Sequence, residues 1–201
     1  VRPGVRAAVR RDEGPSRLWL RSLDSVASRP LAGTDGARNP FWSPDSRSVG
    51  FNADNKLKRI DIDGGSIQVL ANALTGTGGA WNGDGTILFS QGLGPIYSIS
   101  ATGGEPAAVT RLETSQTSHR FPHFLPDGLH FLYFSRGDSE TSGVYAGQLQ
   151  GSEQRRLLSA DSAAVYASSG HLLFVRQGTL FAQNFYPDGL ALTGHPSPIA
   201  E

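Results

Sequence analysis

A short motif that recurs about every 40 residues limits the possible folds of this chain more than any other feature. Each copy contains an aromatic residue, a polar turn and then an apolar strand. The four copies are Trp42-Ser43-Pro44-Asp45-Ser46, Trp81-Asn82-Gly83-Asp84-Gly85, Phe124-Leu125-Pro126-Asp127-Gly128 and Tyr166-Ala167-Ser168-Ser169-Gly170. In the Pro-Asp copies, proline presets the turn and the aspartate side chain bonds the backbone two residues on. Each copy therefore predicts a chain reversal between two antiparallel strands.

The segments after each turn repeat as well. The predicted second strands are 49–51, 87–89, 131–134 and 172–175. The predicted third strands are 57–62, 96–99, 144–149 and 180–185, and some of them alternate apolar and polar residues. A glycine turn leads to short fourth strands at 67–70, 107–110 and 156–158, with a weak one near 198–199. Each unit thus predicts four antiparallel strands.

The N-terminal segment fits the same pattern one unit earlier. Residues 5–9, 18–23 and 29–31 correspond to second, third and fourth strands, and the first strand and its turn are missing. Four-stranded units at this spacing are typical of a β-propeller. The sequence predicts an all-β fold of about five blades, at 1–35, 36–75, 76–115, 116–162 and 163–201, of which the first is incomplete. A β-sandwich gives no reason for such regular recurrence.

Composition excludes several classes of function. The 18 basic and 18 acidic residues cancel, whereas a nucleic-acid partner usually requires a basic surface, so no nucleic acid is expected. There is no cysteine, which excludes disulfides and a cysteine nucleophile. No apolar run approaches the roughly 18 residues of a membrane helix. Because the chain contains no methionine, it is expected to be a piece of a longer protein and of a larger propeller.

The motifs at 41–46 and 123–128, with the glycine pairs at 64–65 and 103–104, resemble the TolB-type propeller repeat. This is a WD40-like group in which a Ser-Pro-Asp-Gly turn replaces the Trp-Asp ending. The copies depart from that pattern in places: Asn82-Gly83 replaces Ser-Pro, and the copy at 166–170 lacks both Pro and Asp. The resemblance implies a fold and says little about function.

Three longer stretches, 18–31, 118–128 and 172–180, look like the C-terminal propellers of bacterial, eukaryotic-like serine/threonine protein kinases. That resemblance implies a propeller outside the cytoplasm, attached to a kinase through a membrane helix. The kinase motifs themselves are absent from this chain.

No catalytic residue is predicted. The chain has no Gly-x-Ser-x-Gly nucleophile elbow, and the spacing of its serines and histidines selects no triad. His119 and His123 would lie about 13 Å apart along a strand, too far for one ion. No metal and no cofactor are therefore expected.

Polar residues just before the repeated aromatics are the candidate binding residues. Arg38, Asn39, His119 and Arg120 should lie on inner strands at the mouth of the propeller channel. A guanidinium group binds a carboxylate with two hydrogen bonds, which suits an acidic peptide loop. A water-filled polar lining is the competing interpretation.

Two functions follow from these expectations. The first is a non-catalytic interaction or sensor propeller with a protein or peptide partner, in a membrane-anchored bacterial kinase or a TolB-like periplasmic scaffold. The second is the substrate-gating propeller of a prolyl-oligopeptidase-like serine peptidase. The fold alone does not choose between them.

Overall fold

A computed structural model describes residues 5–10 and 14–200. Its described residues form five antiparallel sheets and no helix, which confirms the all-β propeller prediction. The chain divides into two compact units, Val1–Gly92 with Ser98–Ala107, and Leu93–Tyr97 with Ala108–Glu201. Each unit contains its own hydrophobic core.

The first sheet has three strands within the described residues. They are β1 (Val5–Arg10), β2 (Arg17–Ser22) and β3 (Ser28–Pro30), in the order β1-β2-β3. The predicted second, third and fourth strands of this blade are thereby confirmed. The possibility that residues 1–4 supply an inner strand lies outside the described residues.

The other four sheets each have four strands in sequential order. The second contains β4 (Arg38–Trp42), β5 (Ser48–Ala53), β6 (Lys56–Asp61) and β7 (Gln68–Asn72). The third contains β8 (Gly79–Trp81), β9 (Thr86–Ser90), β10 (Ile96–Ser100) and β11 (Ala107–Ala108). The fourth contains β12 (Gln116–Phe124), β13 (His130–Gly137), β14 (Gly143–Gln148) and β15 (Gln154–Leu158). The fifth contains β16 (Val165–Ala167), β17 (His171–Arg176), β18 (Thr179–Tyr186) and β19 (Ala191–Ala200).

The second strands of the four-stranded sheets contribute buried side chains to the cores. Every residue of β5 is buried, and Phe51 contributes to the core of the first unit. In the second unit, Leu172 and Phe174 of β17 are buried in the other core. The repeated aromatics before the turns are only partly buried, but Trp42 and Tyr166 still pack against these cores. Trp42 and Tyr166 therefore act as packing residues.

One aromatic ring of the first unit requires two glycines. Phe41 of β4 is buried between Gly50 of β5 and Gly79 of β8. A Cβ atom added at either glycine would overlap the ring. The close approach of the strands to Phe41 therefore depends on the absence of side chains at both positions.

Candidate functional site

A polar cavity of about 530 Å³ lies in the first unit where β4 begins. Its walls come from three places: the paired ends of β4 and β5, the turn between β5 and β6, and the segment that connects β7 to β8. The lining residues are Gly36, Arg38, Asn39, Asn52, Ala53, Asp54, Asn55, Ala73, Thr75, Gly76 and Thr77. This volume is in the range of pockets that hold small ligands. We call it the Asn52 cavity.

Two of the four predicted site residues lie in this cavity. Arg38 is exposed and pairs with Asn52 across the antiparallel strands. Asn39 adopts the left-handed conformation with φ of 48°, and its Nδ2 donates a hydrogen bond to the Gly76 carbonyl oxygen at 2.8 Å. The register of β4 and β5 shifts between Arg38 and Phe41. The irregular start of β4 therefore places a guanidinium and an amide at one opening.

Asn52 is the feature of the cavity that sequence reasoning missed. Its side chain is only 5% exposed, and neither Oδ1 nor Nδ2 has a hydrogen-bond partner. A buried polar group without a partner costs about 1–3 kcal/mol. Buried amides in folded proteins are normally bonded, so an exception requires an explanation. The only hint in the sequence was an asparagine inside the apolar strand Val49–Ala53.

The turn between β5 and β6 forms one rim of the cavity. Asp54 and Asn55 have φ values of 53° and 57°, and Ala53 pairs with Lys56 across the turn. Two successive left-handed residues are the signature of a tight type I′ hairpin turn. The Asp54 carboxylate accepts a hydrogen bond from Lys58 Nζ at 2.6 Å, and this bond lowers the pKa of Asp54. The acid at the rim is therefore already matched by a cation.

The connection from β7 to β8 forms the opposite wall. Thr75 has a φ of 44°, which is rare for a β-branched residue and indicates backbone strain. Gly76 packs directly against the Asn52 amide, and a Cβ added at position 76 would overlap Oδ1. The Thr77 hydroxyl is 2.7 Å from the Ser90 hydroxyl. This wall consists of backbone and small side chains held close to the amide.

The other two predicted residues lie in the second unit, and His119 does not fit its predicted role. Its side chain is fully buried, so it cannot contact a partner at a channel mouth. Its Nδ1 is 2.8 Å from the Thr110 hydroxyl and its Nε2 is 3.0 Å from Gln116 Oε1. The ring also packs against Tyr133, with centroids 4.6 Å apart.

The hydrogen bonds of this group select one tautomer of His119. Thr110 Oγ1 accepts a hydrogen bond from the Ile96 backbone amide, which leaves its proton for Nδ1. Gln116 Oε1 is an acceptor, so Nε2 carries the proton. Burial lowers the pKa of His119 to about 4. The imidazole is therefore neutral and structural at pH 7.

Arg120 is partly buried, and its Nε donates to the Ser118 hydroxyl at 2.8 Å. Burial and the nearby Arg136 lower its pKa. The salt bridges among the described residues do not include Arg120. Its role in partner binding stays a prediction, as does the proposal that it acts together with Arg38.

Two features are absent from the described residues. Across 5–10 and 14–200, no three His, Cys, Asp or Glu side chains converge in a way that would ligate a metal ion. Within the same part of the chain there is no helix with the length and apolar character needed to span a membrane.

Comparison with solved structures identifies the fold. A putative TolB from Agrobacterium tumefaciens is 19% identical with a TM-score of 0.68, over 80% of this chain and 63% of that one. TolB from Acinetobacter baumannii is 16% identical with a TM-score of 0.75, over 97% of this chain and 52% of that one. A puromycin-hydrolyzing peptidase from Mycobacterium tuberculosis is 17% identical with a TM-score of 0.68, over 94% of this chain and 36% of that one.

These likenesses establish a TolB-like β-propeller fold. The chain spans less than two thirds of the length of either TolB structure. No protein-family model matches the sequence, and no curated protein matches it either. Because TolB and a peptidase share this fold, function must be argued from the site itself.

Proposed function

We propose that this chain is a non-catalytic interaction propeller that binds a partner protein through the Asn52 cavity. The observation that carries the proposal is the cavity itself, where the exposed Arg38 lies across the strand pair from a buried amide without a partner. Unmet hydrogen-bonding capacity in a concave polar site favours a ligand that supplies the missing groups.

The cellular setting is part of the same proposal. The chain acts outside the cytoplasm of a bacterium, as the propeller of a membrane-anchored serine/threonine kinase or as a TolB-like periplasmic scaffold. The resemblance of residues 118–128 and 172–180 to kinase-associated propellers supports the first setting, and the likeness to two TolB structures supports the second. In both settings residues 1–201 serve as one propeller domain, with blades near 1–35, 36–75, 76–115, 116–162 and 163–201.

A non-catalytic role agrees with the chemistry of the buried histidine. A general base needs a free nitrogen within reach of a nucleophile that substrate can approach. Both ring nitrogens of His119 are engaged, and the Thr110 hydroxyl beside it is buried. The His119 group therefore supports the core of the second unit.

The test compares two charge reversals in the second sheet. Arg38→Glu changes the cavity, whereas Arg47→Glu makes the same change at an exposed arginine in the turn between β4 and β5, at the far end of that strand pair. Immobilised propellers are exposed to envelope proteins of a bacterium that encodes the chain, and captured proteins are identified by mass spectrometry. We expect a partner that wild type and Arg47→Glu retain and that Arg38→Glu binds at least tenfold more weakly. Equal capture by all three proteins would remove the cavity as the binding site.

A second candidate is the substrate-gating propeller of a serine peptidase. The Mycobacterium tuberculosis peptidase, whose structure matches 94% of this chain, favours it. The two candidates differ in what the parent gene encodes. A kinase domain and a membrane helix before the propeller support the interaction role, and an α/β-hydrolase domain after it supports the peptidase role. Sequencing the flanking regions decides between them.

A further inference from the structure

The Asn52 amide presents two hydrogen-bonding atoms that no described residue satisfies. A primary amide offers two donors and an acceptor in one plane. A peptide group or another carboxamide presents a donor and an acceptor in the same way. The missing partner of Asn52 is therefore best supplied by an amide.

The protein cannot supply that partner from the cavity walls as they stand. Asn39 also lines the cavity, and its Nδ2 donates to the Gly76 carbonyl oxygen. Gly76 lies against the Asn52 amide, since a Cβ added there would overlap Oδ1. A ligand amide therefore reaches Asn52 when the strained turn at Thr75 and Gly76 shifts. Such a shift would release the backbone strain of Thr75, whose φ is 44°.

The charge of Arg38 beside the Asn52 amide sets a second requirement for the ligand. Arg38 is the cross-strand neighbour of Asn52, so the two side chains lie on the same face of the strand pair. The carboxylate at the rim, Asp54, forms its salt bridge with Lys58 rather than with Arg38. A guanidinium group pairs best with a carboxylate through two parallel hydrogen bonds.

A peptide fits these requirements better than a sugar acid does. In a peptide, a carboxylate lies a few bonds from a peptide group, either on an acidic side chain or at the chain end. Carbohydrate sites commonly use an aromatic ring as a stacking surface, and none of the described residues that line the cavity is aromatic. The hydroxyl of Thr75 and the carbonyl oxygen of Gly76 add further polar contacts for a backbone.

We propose that the Asn52 cavity binds a peptide segment whose carboxylate pairs with Arg38 and whose neighbouring amide bonds to Asn52. The inference rests on the proposed function and adds the chemistry of the partner. Its consequence is a trade-off, because the amide that binds the ligand destabilises the empty protein.

The first measurement tests the amide in the empty protein. Asn52→Leu replaces it with an apolar side chain of similar shape, so we expect Tm to rise by about 3 °C. Asn82→Leu is the matched control, since Asn82 is also buried at 4% exposure but its Oδ1 accepts a hydrogen bond from the Thr86 amide at 2.8 Å. Asn82→Leu should lower Tm. A lower Tm for Asn52→Leu as well would mean that its amide is satisfied, which overturns the inference.

The second measurement uses three acetylated tetrapeptides and calorimetry. Acetyl-Gly-Ala-Glu-Gly-amide carries a side-chain carboxylate, acetyl-Gly-Ala-Ala-Gly has a free terminal carboxylate, and acetyl-Gly-Ala-Gln-Gly-amide is the neutral reference. We expect at least one acidic peptide to bind about tenfold more tightly than the neutral one, and which of the two does so identifies the source of the carboxylate. Arg38→Gln should abolish this preference, and Asn52→Leu should weaken all binding about tenfold.

The outcomes separate this inference from the proposed function. If the peptides do not bind, or bind Asn52→Leu as they bind wild type, the ligand chemistry is wrong. Binding of a galacturonate oligosaccharide in place of the peptides would also overturn it. Whether the peptides fail or the oligosaccharide binds, the proposed function stands if Arg38→Glu still weakens capture of a partner protein. If capture is independent of Arg38, both fail.

Discussion

The first strands β4 of the first unit and β12 of the second unit both carry polar residues ahead of the repeated aromatic, but those residues differ in burial and in hydrogen bonding. In β12, His119 is buried opposite Ser135, and both of its ring nitrogens have partners. In β4, Arg38 is exposed opposite Asn52, whose amide has none. A satisfied buried network stabilises a fold, whereas an unsatisfied buried amide destabilises it until a partner is supplied. The difference teaches that polar residues in the same stretch of two repeat units need not share a role.

The largest expected effect tests whether His119 is structural. Its pKa is about 4 in the folded chain against 6.5 for an ordinary histidine, so the unfolded chain binds its proton more readily. The contribution of neutral His119 to the free energy of unfolding is therefore fully present above pH 6.5. It falls by about 3 kcal/mol as the pH drops towards 4. Urea unfolding between pH 4 and 7 measures this dependence.

His119→Gln is the control for that measurement. The variant should lose most of the pH dependence, and what remains comes from His123, whose pKa burial also lowers. Carboxylates with a lowered pKa, such as Asp45, lose most of their contribution below the ordinary value of 3.8, so they add only a small loss at the acid end of this window. An unchanged dependence in the variant would show that His119 is not the titrating group, and the contrast with Asn52 would weaken.

A smaller effect tests how closely the Asn52 amide is covered. Gly76→Ala places a Cβ against Asn52 Oδ1, so we expect a loss of about 2 kcal/mol from overpacking. In an Asn52→Ala background the same change should cost less than about 1 kcal/mol, because the overlapping amide is gone. Denaturant unfolding of the four proteins measures the coupling. Equal costs in both backgrounds would place the strain elsewhere.

The smallest expected effect tests how Asn39 contributes to stability. Asn39→Ala removes its hydrogen bond to Gly76 and leaves the left-handed backbone without the polar side chain that supports it, so it should cost about 1 kcal/mol. Asn39→Gly loses the same bond but tolerates the φ of 48°, so it should cost about half as much. Thermal unfolding compares the two variants. Identical costs would indicate that the left-handed backbone contributes nothing.

The fold could be predicted because its signals are local and repeated. Turn chemistry and an aromatic residue marked the end of every inner strand, and β5, β9, β13 and β17 follow as predicted. The outermost strand β19 was expected to be weak near 198–199, yet it extends over Ala191–Ala200. It pairs along the eight-residue β18 through two register shifts, which the alternation of residues does not reveal.

The site could be predicted only in part. Arg38 and Asn39 were found because they precede a repeated aromatic residue, and their positions follow from the repeat. The burial of His119 depends on Thr110 and Gln116, and the role of Asn52 depends on the turn at Gly76. These partners lie outside the motif, at separations that no period encodes.

The packing of Phe41 between Gly50 and Gly79 links three positions that otherwise belong to different strands. Neither glycine can be replaced by a larger residue while the Phe41 ring remains. Substitutions at positions 50 and 79 therefore require a change at position 41. Alanine at position 50 is accommodated only if the side chain at position 41 first becomes smaller. Phe41 and the two glycines thus constrain one another's size across β4, β5 and β8.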